Sequence, residues 1–289
     1  MSTVKRRVTT RTLVKMKQEH EPIAMITAYD YPAAKMAEAA GADMILVGDS
    51  LGMVVLGYDS TIPVTLEDML HHTKAVTRGA KRAMVIADLP FMMAHLSRDE
   101  VLKAAARLMQ EGGAYGVKLE GGREIIENVR ALTQAGIPVV GHLGLTPQSV
   151  NQLGGYMIQG KELAAAERLI EEAQSLEEAG ICALVLECVP EELARLISEK
   201  LHVPTIGIGA GRYCDGQVLV YHDVLALSGE WHPSFVKVYR KAGQMMTEGI
   251  AEYVQEVKNR QFPQAEHVTH LEDETAGRLY GAKEGVTTT

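Results

Sequence analysis

Short apolar runs recur along the chain at 23–29, 43–48, 83–87, 116–119, 137–141, 181–186, 203–208 and 217–221, with room for one helix between most neighbours. The runs are nearly continuous in apolar character instead of alternating with polar residues. That pattern fits strands buried on both faces, as in a parallel sheet covered by helices. The segments between them carry helix punctuation. Ser97-Arg98-Asp99-Glu100 offers a hydroxyl to the first amides and a carboxylate that reaches back, and Thr65-Leu66-Glu67-Asp68 is a weaker version. Gly41, Gly79, Gly112, Gly136 and Gly180 stand where a left-handed residue without a Cβ closes a helix. The clearest helix covers 161–179, with Leu163, Ala166, Ile170 and Ala173 on one stripe and Glu167, Glu171, Glu172 and Glu178 facing water.

Eight strand units without a domain linker predict an α/β fold, a single (β/α)8 TIM barrel over residues 1–264 that includes an N-terminal extension. After Gln264 the apolar period stops. Residues 265–289, with His267, His270, several acids and a terminal run of threonines, read as a mobile C-terminal tail with no assigned role.

The formal net charge of −8, with its cations dispersed, leaves no basic stripe for a phosphate backbone, so the expected partner is a small molecule and not nucleic acid. Cys182, Cys188 and Cys214 form no C-x-x-C pair and no disulfide framework, which suits a cytoplasmic protein. Lys5, Arg6, Arg7 and Arg11 make the N-terminus basic, but no apolar stretch follows that would direct export or membrane insertion.

In a parallel barrel all strands end at one rim, so polar residues that terminate different strands become neighbours. Here the strand ends carry Asp49 and Ser50, Asp88, Glu120, His142 and Glu187. A single Asp after a strand is ordinarily a cap or turn residue. Asp49, Asp88 and Glu120 together offer hard oxygens suited to Mg²⁺, whereas zinc would favour His or Cys ligands. The strand period of two puts Lys118 on the same face as Glu120, as a partner for these acids, a contact for a substrate carboxylate, or both. Glu187, beside Cys188 and Pro190 at the end of an apolar strand, is the candidate general base; pairing with a rim cation is the competing role. His142 reads as a hydrogen-bonded support. The run Gly207-Ile208-Gly209-Ala210-Gly211 lacks the spacing of a phosphate loop, leaving close ligand approach or tight rim packing open.

Six runs carry a resemblance that extends over roughly residues 10–260: Met25-Ile26-Thr27-Ala28-Tyr29-Asp30, Val47-Gly48-Asp49-Ser50-Leu51-Gly52, Val117-Lys118-Leu119-Glu120-Gly121-Gly122, Gly141-His142-Leu143-Gly144-Leu145-Thr146-Pro147-Gln148, Leu186-Glu187-Cys188-Val189-Pro190 and Ile206-Gly207-Ile208-Gly209-Ala210-Gly211. The sequence resembles the ketopantoate hydroxymethyltransferase (3-methyl-2-oxobutanoate hydroxymethyltransferase) family. The resemblance implies the barrel fold and hydroxymethyl transfer from 5,10-methylenetetrahydrofolate to 3-methyl-2-oxobutanoate in pantothenate biosynthesis. It further implies Mg²⁺ on Asp49 and Asp88, with Glu120 completing the metal environment directly or through water. Asp49, Ser50, Asp88 and Lys118 would bind the oxoacid, Glu187 would accept the proton, and the chain would form a homo-oligomer, as a decamer. Two alternatives stay open at this point: another Mg²⁺-dependent barrel of the phosphoenolpyruvate mutase or isocitrate lyase type, and a barrel that senses a ligand without turnover.

Overall fold

The structure, a computed structural model, describes residues 7–227, 229 and 233–281. The strands β1 (Ile23–Thr27), β2 (Met44–Val47), β3 (Met84–Asp88), β4 (Gly116–Glu120), β5 (Val139–Gly144), β6 (Ala183–Glu187), β7 (Thr205–Ile208) and β8 (Gly216–Leu219) form a closed barrel in sequence order. Every pairing is parallel, including β8 back onto β1. Each apolar run therefore yields one strand, with its ends slightly shifted.

Alternation along these strands separates two cores. Val47, Val85, Val117, Leu119, Leu184 and Leu186 belong to the outer core shared with the helices. Met25, Met44, Met84, Ile86, Val140 and Val185 belong to a second core inside the barrel, to which helix Thr10–Gln18 adds Leu13 and Met16. That helix closes the floor, and the C-terminal strand ends form the mouth.

Helix boundaries follow the local chemistry with instructive departures. Thr65 and Asp68 form a reciprocal cap: the Asp68 amide donates to Thr65 Oγ1 at 3.2 Å, and the Thr65 amide donates to Asp68 Oδ2 at 2.9 Å. At Ser97, the backbone amide donates to Glu100 at 3.2 Å. Gly41, Gly136 and Gly180 are left-handed, but Gly79 and Gly112 are not. A Cβ on Gly79 would lie 2.8 Å from Ala34 Cβ and from the Tyr31 carbonyl, so close helix approach explains the missing side chain there. Beside Gly112, the left-handed residue is Gly113.

The helix expected over 161–179 spans Leu163–Glu178 and buries Leu169, Ala173 and Leu176. Leu163 departs from the expected stripe and is 75% exposed. At 100° per residue it lies roughly 110° round the helix from the line through those three residues.

Contacts divide the chain into two compact units, Met1–Arg240, which contains the barrel, and Lys241–Thr289. The second holds helices Ala242–Lys258 and Asp273–Tyr280, the latter inside the segment expected to be a tail. Residues 282–289 of that segment, and Lys5 and Arg6 at the other end, lie outside the described residues. Among the described residues no helix is long and apolar enough to cross a membrane.

Candidate active site

The barrel interior changes character toward the mouth. On β3, Met84 and Ile86 precede Asp88 on one face; on β4, Gly116 precedes Lys118 and Glu120; on β5, Val140 precedes His142. Strand register then sets Asp88 beside Lys118 and Glu120 beside His142. Asp49 follows β2, and its amide donates to Asp88 Oδ2 at 3.1 Å. Asp49, Asp88, Lys118, Glu120 and His142 are all buried.

Lys118 lies among the acids. Its Nζ stands 3.2 Å from Asp88 Oδ1, 3.6 Å from Glu120 Oε1 and 3.2 Å from His142 Nδ1. His142 bridges onward: Nδ1 is 3.4 Å from Glu120 Oε1, and Nε2 is 3.3 Å from Glu187 Oε2. Glu187, with a side chain 15% exposed, is the member of the chain of contacts nearest solvent. It faces an imidazole, so its setting is less apolar than its strand suggests. Ser50 completes the group beside Asp49, with its Oγ 2.8 Å from the hydroxyl of buried Tyr29.

The acids respond differently to their shared burial. Burial, followed by the charges of Glu120 and Asp88, pushes Asp49 well above the usual carboxylate range. Burial also raises Asp88, despite the opposing pull of Lys118. At Glu120 burial is outweighed by Lys118, His142 and the Gln148 amide, so this carboxyl is held low. Burial opposes the charge on Lys118, but Asp88, Glu120 and Asp49 together raise its pKa. Burial and Lys118 act to lower His142, yet its contacts with Glu120 and Glu187 prevail and bring it up to about 9. The result is a graded set: two acids that resist ionisation beside one that favours it.

All the residues expected at the rim meet here. Gln148, Tyr29 and Tyr156 join the site although nothing in the sequence marks them as site residues. Gln148 binds Asp49 and Glu120 from the turn after β5. Tyr156 is largely exposed, and its hydroxyl donates to Met53 Sδ at 3.6 Å. Burial, then the charges of Glu187, Asp49 and Glu120, raises that hydroxyl's pKa. Gln148 and Tyr29 lie within the runs 141–148 and 25–30 that resemble the family, but neither residue type advertises an ionic role. The glycine run after β7 resolves toward tight packing: a Cβ on Gly209 would meet the Phe235 ring, and one on Gly211 would meet the Glu191 side chain.

Among the described residues, no group of three His, Cys, Asp or Glu side chains forms a ready-made metal cage. The donors present still suit a hard cation that completes its shell with water and substrate. Asp88 Oδ1 is buried beside the Lys118 ammonium without a hydrogen bond of good geometry, so a cation bound there would share this oxygen with Lys118.

The model of the ketopantoate hydroxymethyltransferase family matches residues 7–265. The chain belongs to this family. The 3-methyl-2-oxobutanoate hydroxymethyltransferase of Geobacillus sp. (strain WCH70) is 59% identical over 269 residues, covering 93% of this chain and 96% of that protein. The enzyme of the same name from Bacillus cereus (strain G9842) is 58% identical over 271 residues, covering 94% and 98%. Among solved structures, phosphonopyruvate hydrolase matches with a TM-score of 0.58 at 15% identity, over 92% of this chain and 93% of the other. A 2,3-dimethylmalate lyase, a member of the phosphoenolpyruvate mutase/isocitrate lyase superfamily, matches with a TM-score of 0.56 at 14% identity, over 94% of each. At those identities the likeness concerns the barrel fold alone. The family match separates this enzyme from the mutase and lyase alternative.

Proposed function

We propose that the barrel mouth transfers a hydroxymethyl group from 5,10-methylenetetrahydrofolate to 3-methyl-2-oxobutanoate, giving 2-dehydropantoate and tetrahydrofolate on the route to pantothenate. The observation that carries this reading is the continuous run of contacts joining Asp88, Lys118, Glu120, His142 and Glu187 at the mouth of a barrel matched to the hydroxymethyltransferase family. Atom balance requires one water, which supplies the hydroxyl oxygen.

Asp49 and Asp88 are the residues that would hold Mg²⁺, with Glu120 completing its environment. The chemistry such a cation would supply is electron withdrawal from the bound oxoacid, which would acidify its C3–H bond. Asp49, Asp88 and Ser50 line the oxoacid position, and the buried ammonium of Lys118 offsets negative charge developing on its oxygen. Glu187 accepts the C3 proton from the opposite side of His142, and His142 steadies the carboxylate through Nε2. Water cleaves the two C–N bonds of the donor, releasing tetrahydrofolate and leaving its carbon as formaldehyde; the C3 carbanion attacks that carbonyl carbon, and the resulting alkoxide takes a proton to give the hydroxymethyl group. Exposed Tyr156 and Met53, in contact at the rim, offer a surface on which the donor's planar ring can lie.

The same reading makes the chain a cytoplasmic homo-oligomer, a decamer on the family pattern. Helix Ala242–Lys258 supports association, because it buries none of its residues within one chain. Its Met246, Ile250, Tyr253, Val254 and Val257 share one face at helical spacing and are exposed.

The direct test supplies 3-methyl-2-oxobutanoate, methylenetetrahydrofolate and Mg²⁺, and follows 2-dehydropantoate with and without a chelator. Product that forms only with the metal is expected. Oxoacid binding without any product would contradict the enzymatic reading.

A further inference from the structure

Three carboxylates brought together from separate strand ends repel one another, and their oxygens take a defined arrangement only where neighbouring groups hold them. Gln148 holds two of the three. It lies in the turn Pro147–Ser149 after β5 and is buried. Its Nε2 donates to Asp49 Oδ2 at 2.8 Å and to the Leu89 carbonyl at 2.9 Å, while its backbone amide donates to Glu120 Oε2 at 3.0 Å. The Leu89 carbonyl can only accept, so the amide nitrogen must face it, and the orientation of this side chain is chemically determined.

One residue thus ties the turn after β5 to the ends of β2, β3 and β4. The Asp49 amide already engages Asp88 Oδ2 at 3.1 Å. Each of the three acids therefore has one oxygen turned toward a fixed amide. Because Gln148 is neutral, it imposes this order without altering the charge that a cation meets.

We propose that Gln148 is a positioning residue of the metal site. It engages Asp49 Oδ2 so that Oδ1 is the oxygen presented to a divalent cation, and it keeps Glu120 against Lys118 and His142. The inference rests on the Mg²⁺ reading above and adds to it a residue that touches neither cation nor substrate.

The test measures Mn²⁺ binding to the full chain by electron paramagnetic resonance, in the unmodified protein, Gln148→Met and Asn128→Leu. Methionine keeps the length of the side chain and removes the Nε2 donor to Asp49 and Leu89, while the backbone amide that donates to Glu120 remains. Asn128 provides the control, because its amide also donates twice, to the Ala94 and Leu96 carbonyls at 2.9 Å and 3.0 Å, and meets no carboxylate among the described residues. Thermal unfolding in chelator reports the stability of each variant separately.

Gln148→Met is expected to weaken Mn²⁺ binding by about 10- to 100-fold, the range for lost supporting hydrogen bonds around a metal. Asn128→Leu should lose stability while keeping its Mn²⁺ affinity. Unchanged affinity in Gln148→Met, or equal weakening in both variants, would overturn the positioning role. Absence of Mn²⁺ binding to the unmodified chain would instead overturn the metal reading itself, and this inference with it.

Discussion

The floor and the mouth of the barrel interior use the same eight strands and the same alternation, yet they have opposite energetics. At the floor, Leu13, Met16, Met25, Met44 and Met84 pack apolar surface on apolar surface. Burying such side chains stabilises the fold by about 1.5–3 kcal/mol each. Two to four residues further along β3 to β5, Asp88, Lys118, Glu120 and His142 leave water for one another. Their mutual contacts must first offset that desolvation, and Asp49 and Asp88 remain reluctant to ionise. The floor thus supplies stability, while the mouth tolerates an electrostatic burden suited to binding and chemistry.

The strongest way to break that division is to alter the mouth. Asp88→Asn is expected to lower turnover by roughly a hundredfold or more, since it removes an oxygen from the proposed metal site. Its unfolding free energy in chelator should stay within about 1 kcal/mol of the parent, because Lys118 keeps Glu120 while one reluctant buried acid is removed. Steady-state kinetics and denaturant unfolding check the two halves. A large stability loss with normal turnover would reverse the assignment of the two regions.

Met84→Ala at the floor should do the converse. The fully buried Met84 leaves a cavity expected to cost about 2–5 kcal/mol, with turnover of the folded protein preserved.

The finest test of the comparison is pH. Burial, then Glu120 and Asp88, raises Asp49 above its unfolded value, so the native metal-free protein retains this proton to higher pH than the unfolded chain. That contribution to stability is present below the unfolded pKa and is lost as pH rises through the folded one. Metal binding requires the carboxylate form and so displaces the proton. Mn²⁺ affinity should therefore fall as pH drops through the raised Asp49 pKa, and calorimetry in buffers of different ionisation enthalpy should record proton release. Binding without proton release would contradict the reluctant-acid account.

These regions were unequally legible in the sequence. The strands were readable because burial on both faces writes a continuous apolar run, and the period of two correctly put Lys118 on one face with Glu120. The candidate acids stood out because charged residues at the ends of apolar strands are conspicuous. Gln148 did not stand out, because it is neutral and its importance lies in a hydrogen bond to Asp49 across 99 residues of sequence. Tyr29, a hydroxyl partner of Ser50, was hidden for the same reason. Leu163 and Gly79 show the opposite limit, where a local pattern was clear but tertiary packing decided which face was covered or why no side chain fitted.

In the proposed reaction, proton removal and oxoacid binding belong to different residues at the mouth. Exchange of the C3 proton of 3-methyl-2-oxobutanoate in D₂O, followed by NMR with Mg²⁺ and no folate, isolates the first step. Glu187→Gln should slow exchange by at least about a hundredfold while oxoacid affinity stays near that of the parent. Exchange at the parental rate, or loss of oxoacid binding equal to that in Asp88→Asn, would contradict the account.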